Sequence, residues 1–144
     1  MKEIWKPIPG HEGKYEVSCL GNVRSLTRRV RLVAHGRETT RVAKGVLLRP
    51  GKTQSGHVTV AIGRGNSRPV HQLVMEAFVG PRPEGNEVLH LNGNPSDNRL
   101  ENLKYGTRRE NILMDYATGV RFLSEEQRLK MFAGRKFCRT EMKK

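Results

Sequence analysis

The sequence predicts an α+β fold: a small β-rich front, then a strand–loop–strand–helix unit, then a short closing helix. Three observations carry this. Short apolar pieces separated by turn formers fill the front of the chain. The apolar residues at 70, 73, 74, 77 and 78 recur at helical spacing. From Val88 to Tyr116 the pattern passes from strand to asparagine-rich loop to strand to capped helix.

In order, Pro7, Pro9, Gly10, Gly13 and Gly21 punctuate apolar pieces at 3–5 and 15–18. Trp5 is expected to anchor a small core with Ile8, Tyr15 and Val17. Residues 23–26 alternate after a turn at Gly21-Asn22. Residues 30–33 and 41–43 read as the arms of a hairpin closed by residues 35–38, and 45–49 (GVLLR) as a third short strand. The clearest strand is 57–62, with Val58, Val60 and Ile62 on one face. Residues 63–69 read as a loop. Its Gly63-Arg64-Gly65 lacks the strand-to-helix setting of a nucleotide-binding turn, so no small-molecule cofactor is expected. A helix over 70–79 stops at Gly80-Pro81. Residues 88–91 form a strand that delivers His90 to a turn. A loop over 94–99 and a second strand over 100–106 follow. Thr107 and Glu110 form a capping box for the next helix, with Ile112, Leu113 and Tyr116 inside. Ser124 and Gln127 cap a last helix over 125–133, ahead of a basic tail. The organisation expected is a basic module over 1–56, a core over 57–120 and a tail over 121–144.

Charge points to the partner. The 144 residues hold 27 Lys and Arg against 14 Asp and Glu, a net charge of +13. Such an excess repels itself in the folded state and suits a polyanion. Between residues 27 and 52 lie eight basic residues and one acid. Arg28, Arg29, Arg31, Lys44, Arg49 and Lys52 there are assigned to phosphate contact. Arg24, Arg64, Arg68, Arg99, Arg108 and Arg109 are further candidates. No run of 18 apolar residues exists and the first 20 residues hold no apolar signal core. Cys19 and Cys138 have no metal or disulfide spacing. A soluble, cytoplasmic, basic protein without membrane contact is expected.

The chemistry concentrates in one segment. His90 lies on a strand, Asn102 at the next strand and Asn111 in the first turn of the helix, at gaps of 12 and 9. With these residues the segment resembles the HNH endonuclease family, in the variant whose last ligand is Asn; its core is a ββα-metal fold. Residues 70–85 (VHQLVMEAFVGPRPEG) resemble the helix ahead of that core in phage and intron-encoded homing nucleases. Residues 3–26 (EIWKPIPGHEGKYEVSCLGNVRSL) resemble the nuclease-associated (NUMOD-type) segment attached to the front of such enzymes. The two resemblances cover 3–26 and roughly 70–119, about half the chain.

The resemblance implies a metal-dependent endonuclease acting on double-stranded DNA. His90 would be the general base, since imidazole titrates near neutrality. Asn102 would hold the loop that aims it. Asn111 would ligate one divalent ion, Mg²⁺ or Mn²⁺, at the scissile phosphate, leaving a 5′-phosphate and a 3′-hydroxyl. The family's commonest pattern has a metal-binding Asp just before the His, whereas this chain has Leu89. Three resolutions stand open. Asp115, one helical turn after Asn111, supplies the charge; DNA phosphates complete the site; or the nuclease is weak or inactive. Asp97 reads as a loop-ordering residue, His71 as structural, and His11, His35 and His57 as surface residues. The expected unit is a monomer making one nick, with a dimer as the alternative. The rival classes are a DNA-binding module without cleavage and a basic RNA-binding structural protein.

Overall fold

The computed structural model describes residues 2–119. Strands β1 (Trp5–Pro7), β2 (Tyr15–Ser18) and β3 (Val23–Ser25) form an antiparallel meander. Strands β4 (Arg28–Ala34) and β5 (Arg37–Ala43) pair as a separate ribbon. A third sheet pairs β6 (Gly51–Lys52), β7 (Val58–Ala61) and β8 (Ser67–Pro69), which leads into helix α1 (Val70–Phe78). The chain continues as β9 (Asn86–His90), a 3-10 turn (Leu100–Asn102), β10 (Leu103–Thr107) and helix α2 (Arg108–Ala117). The fold is α+β, as the patterning predicts. The closing helix over 125–133, with Cys138 and the basic tail, lies outside the described residues.

One apolar cluster joins the front and rear of the molecule. Ile8, Tyr15, Val17 and Val23 from the meander meet Val60, Ile62, Val70, Leu73, Val74, Met75 and Leu103. Burying each such side chain contributes about 1.5–3 kcal/mol, so α1 is the beam on which both halves rest. Met75 is buried too, which makes the apolar arc of α1 wider than the face read from spacing alone. No helix among the described residues is long and apolar enough to cross a membrane.

Several local readings change. Trp5 is only half-buried, and the Arg24 guanidinium lies 4.1 Å from its ring centroid. It therefore rests on a cation rather than in the core. Residues 45–49 are not a strand. They touch β3 through one bridge, Leu47 to Arg24, and two flanking backbone bonds, Ser25 N to Val46 O and Leu48 N to Val23 O. Residues 67–69, expected in a loop, pair with β7 instead. The ribbon hairpin appears as predicted, and its turn is tight: His35 and Gly36 take φ 51° and 74°. Two central residues at positive φ match the twist of the flanking strands.

Candidate active site and nucleic-acid interface

The site is built on the β9–β10 hairpin. Its register pairs His90 with Leu103, Val88 with Tyr105 and Glu87 with Gly106. Strand alternation puts Val88 and His90 on one face and Glu87 and Leu89 on the other. Leu89 is 1% exposed and packs over Gly106. A Cβ at 106 would stand 2.5 Å from Leu89 Cδ1, so that position has room only for glycine. Helix α2 begins with the capping box read from the sequence: Glu110 N donates to Thr107 Oγ1 (3.3 Å) and Thr107 N to Glu110 Oε2 (2.7 Å).

The loop between the strands is held by side-chain amides. Asn102, buried in the 3-10 turn, donates from Nδ2 to Asn92 Oδ1 (3.0 Å) and to Asp97 O (2.9 Å). Its Oδ1 accepts from Asn92 N (3.0 Å). Asp97 accepts from the Arg99 guanidinium and from Asn92, and the Arg99 hydrogen bond above all holds its carboxyl down to about 2. Asp97 thus orders the loop. The loop also leans on the front of the molecule. Leu100 N donates to Cys19 O (2.8 Å), and Gly21, at φ 86°, lies so close to Asn98 that an added Cβ would meet its Cβ at 2.9 Å.

This packing delivers Asn98, 5% exposed, to His90: the two meet as Nε2 and Oδ1 at 3.2 Å. An amide oxygen only accepts, so Nε2 carries the proton and Nδ1 holds the lone pair. Burial pushes the His90 pKa below the usual range, against the opposing pull of Asn98. The imidazole is therefore neutral at physiological pH, the state a base requires.

His90, Asn111 and Asp115 line one cleft of about 320 Å³, together with His57, Ser55, Val88, Gly93 and Pro95. The 12- and 9-residue gaps do bring His90 and Asn111 together, and Asp115 joins them from one turn further along α2. Asn111 Nδ2 donates to Glu87 Oε2 at 3.0 Å. That bond turns the amide so that its oxygen is the atom left for a cation. An amide oxygen and a carboxylate are hard donors, the chemistry that Mg²⁺ and Mn²⁺ take. The residues fit such an ion, although Leu89 offers it nothing.

The site contains residues that sequence reasoning missed. His57, expected on the surface, is half-buried in the cleft. Its ring centroid lies 5.6 Å from that of His90 and 5.1 Å from that of His71. His71, expected to make a structural hydrogen bond, is buried and its Nδ1 has no partner among the described residues. Burial first, then the neighbouring imidazoles, lowers its pKa to about 4. Asn98 and Glu87 carried no spacing signal. A histidine at the start of the β7 strand pattern was the one visible hint of His57.

The arginines divide in two. Arg24 pairs with Glu16 (2.6 Å), Arg68 with Glu76 (2.8 Å), and Arg99 with Asp97 and Glu101 (2.9 Å each). Arg108 approaches Glu87 at 3.7 Å. Arg28 is half-buried over the Tyr15 ring. By contrast, Arg29, Arg31, Lys44, Arg49, Lys52, Arg64 and Arg109 are exposed, and none makes an ion pair among the described residues.

Residues 68–113 match the model described as HNH endonuclease, and residues 3–63 the NUMOD4 motif. The chain is 28% identical over 128 residues to the DNA endonuclease I-HmuI of Bacillus phage SP01, across 87% of this chain and 64% of that protein. It is 35% identical over 114 residues to an uncharacterized HNH endonuclease of Acanthamoeba polyphaga mimivirus, across 76% of this chain and 25% of that protein. It thus spans less than two thirds of the length of these curated relatives. A solved structure described as DNA binding and cleavage by the HNH homing endonuclease I-HmuI aligns with a TM-score of 0.63 at 25% identity, covering 91% of this chain and 68% of the other. With a NUMOD4 segment at the front, an HNH endonuclease segment behind it and homology to a phage homing endonuclease of matching fold, the chain carries an HNH endonuclease domain.

Proposed function

We propose that this chain is a DNA endonuclease that nicks a duplex with His90 as general base and one divalent cation, Mg²⁺ or Mn²⁺. The observation that carries the reading is the shared cleft of His90, Asn111 and Asp115, with the His90 tautomer set by Asn98. Asn111 and Asp115 would hold the ion, which when bound supplies positive charge to stabilise the leaving 3′-oxygen. His90 Nδ1 accepts a proton from the attacking water while Nε2–H stays on Asn98. Asn102 keeps the loop, and so Asn98, in place. Glu87 orients the Asn111 amide. The ribbon and the exposed cations of β6 and its neighbours lie along the DNA backbone as a single copy binds. The charge supports this: if about six phosphates are neutralised, log K falls with log salt at a slope of about −5.

The test is nicking of supercoiled plasmid in Mg²⁺ or Mn²⁺ beside His90→Ala. The reading expects nicking that the substitution abolishes. One observation favours a second reading, a DNA-binding protein that does not cut: Leu89, buried and without a donor, stands where the family's commonest pattern has a metal-binding Asp. Salt-sensitive DNA binding with no nicking in either metal would establish that alternative.

A further inference from the structure

Three histidines from separate parts of the chain converge in one place. His57 precedes β7, His71 is in the first turn of α1 and His90 ends β9. One ring nitrogen from each lies within 4.8 Å of the others. The ring centroids are 5.1 Å (His57–His71), 5.2 Å (His71–His90) and 5.6 Å (His57–His90) apart. His57 Nδ1 and His71 Nδ1 are buried and have no hydrogen-bond partner among the described residues. A buried, unpaired ring nitrogen is costly to keep. Among the described residues, no carboxylate and no thiolate belongs to the cluster.

We propose that His57, His71 and His90 form a second cation site, selective for a borderline transition metal such as Zn²⁺ and separate from the oxygen donors Asn111 and Asp115. We further infer that filling it switches cleavage off. The donor set decides the selectivity. Imidazole nitrogens suit Zn²⁺ and Co²⁺, whereas Mg²⁺ takes oxygen and keeps its waters. Three imidazoles with a fourth position open is a recurrent zinc arrangement. Bonds of about 2.0–2.1 Å at tetrahedral angles put nitrogens about 3.3 Å apart. The three nitrogens, already within 4.8 Å of one another, would close toward that spacing as the ion enters.

The inhibitory half rests on the reading of His90 as the base. A neutral imidazole has one lone pair. When that pair binds a metal, whichever nitrogen carries it, His90 no longer accepts a proton from water. A cell rich in available Zn²⁺ would then hold the enzyme silent while Mg²⁺ still occupied its own site.

The experiment is titration of the metal-stripped full chain with Co²⁺, read by its visible absorption, and with Zn²⁺, read by calorimetry. The expected result is one ion per chain, with an intense low-symmetry Co²⁺ spectrum that excess Mg²⁺ does not displace. His57→Ala and His71→Asn should each weaken binding more than about tenfold, while Asp115→Asn should leave it within about twofold. Because His71 is buried, its variant is checked by circular dichroism; His57, at a half-buried turn, tests the site if that variant does not fold. Zn²⁺ should also raise the melting temperature of the wild type but not of His57→Ala. Absence of chain-dependent Co²⁺ binding, or equal loss in Asp115→Asn and His57→Ala, overturns the site. Nicking in Mg²⁺ should fall more than about tenfold when Zn²⁺ saturates the site, and recover when a chelator selective for Zn²⁺ is added. Undiminished nicking at saturation overturns the inhibitory half. A chain that binds Co²⁺ through the histidines yet never nicks refutes the nuclease reading alone; one that nicks without histidine-dependent Co²⁺ binding refutes this proposal alone.

Discussion

The ribbon β4–β5 and the hairpin β9–β10 are both antiparallel pairs, yet they use their residues in opposite ways. Along β4 and β5 no residue is buried, and Leu32, Val33 and Val42 are 39%, 72% and 62% exposed. Among the described residues, each strand finds its partner only in the other. Around β9 and β10, Leu89, Asn98, Asn102 and Leu103 are nearly closed to solvent, and the polar ones are bonded. A two-stranded ribbon of this kind has the size to enter a major groove, and its arginines Arg29 and Arg31 are left to solvent. The hairpin does the reverse: it gives up solvent around one imidazole so that its tautomer and direction are fixed before any substrate arrives. Long-range attraction needs no precision, whereas proton transfer does.

The sharpest break in that contrast is His90→Ala. Loss of a general base lowers a rate by about 10²–10⁴-fold, so plasmid nicking should vanish while duplex affinity, measured by fluorescence anisotropy, stays within about twofold. Next comes Asn102→Ala. It removes the three hydrogen bonds of a buried side chain, which should cost about 2–4 kcal/mol in urea unfolding and slow nicking through a misaimed His90.

Acid should expose the same buried region. His71 is held at about 4 while an unfolded histidine titrates near 6.5. Below about pH 6.5 the unfolded chain takes up a proton that the folded chain refuses. Stability is therefore intact above that pH and is lost as pH falls toward 4, by at most about 3 kcal/mol. Urea midpoints measured in a chelator across that window, beside His71→Asn with its shallower slope, check the sign.

A smaller effect tests the link between the front meander and the loop. Gly21→Ala puts a Cβ 2.9 Å from the Asn98 Cβ at a φ of 86°. It should cost about 1–2 kcal/mol and reduce nicking more than DNA binding. The smallest effect on stability belongs to the ribbon. Arg29→Ala with Arg31→Ala should leave the melting temperature unchanged within error while making the salt slope shallower by about 2. A melting shift as large as that of Gly21→Ala would mean the ribbon is part of the folded core after all.

Much of the β9–β10 hairpin could be read from the chain. The Thr107–Glu110 cap involves residues three apart, so its chemistry is local. The His90, Asn102 and Asn111 gaps fall within a single strand–loop–strand–helix unit, where chain geometry limits what can meet. The ribbon and its turn were legible for the same reason. The arginines were not: whether Arg24 or Arg31 faces a phosphate depends on which one a carboxylate of the protein has already claimed, and Glu16 claims the first. Trp5 misled because an aromatic side chain satisfies its surface equally well under a guanidinium.

By itself the sequence determined the elements, the excess of positive charge and the candidate residues for proton and cation chemistry, because each depends on neighbours a few positions away or on a simple sum. Only the tertiary structure decided that His57 and His71 stand beside His90, that Asn98 sets its tautomer and that Glu87 turns Asn111. Those meetings join segments whose separation is closed by the packing of α1 against both halves of the molecule. Burial then gives a few polar atoms an environment that no local pattern encodes.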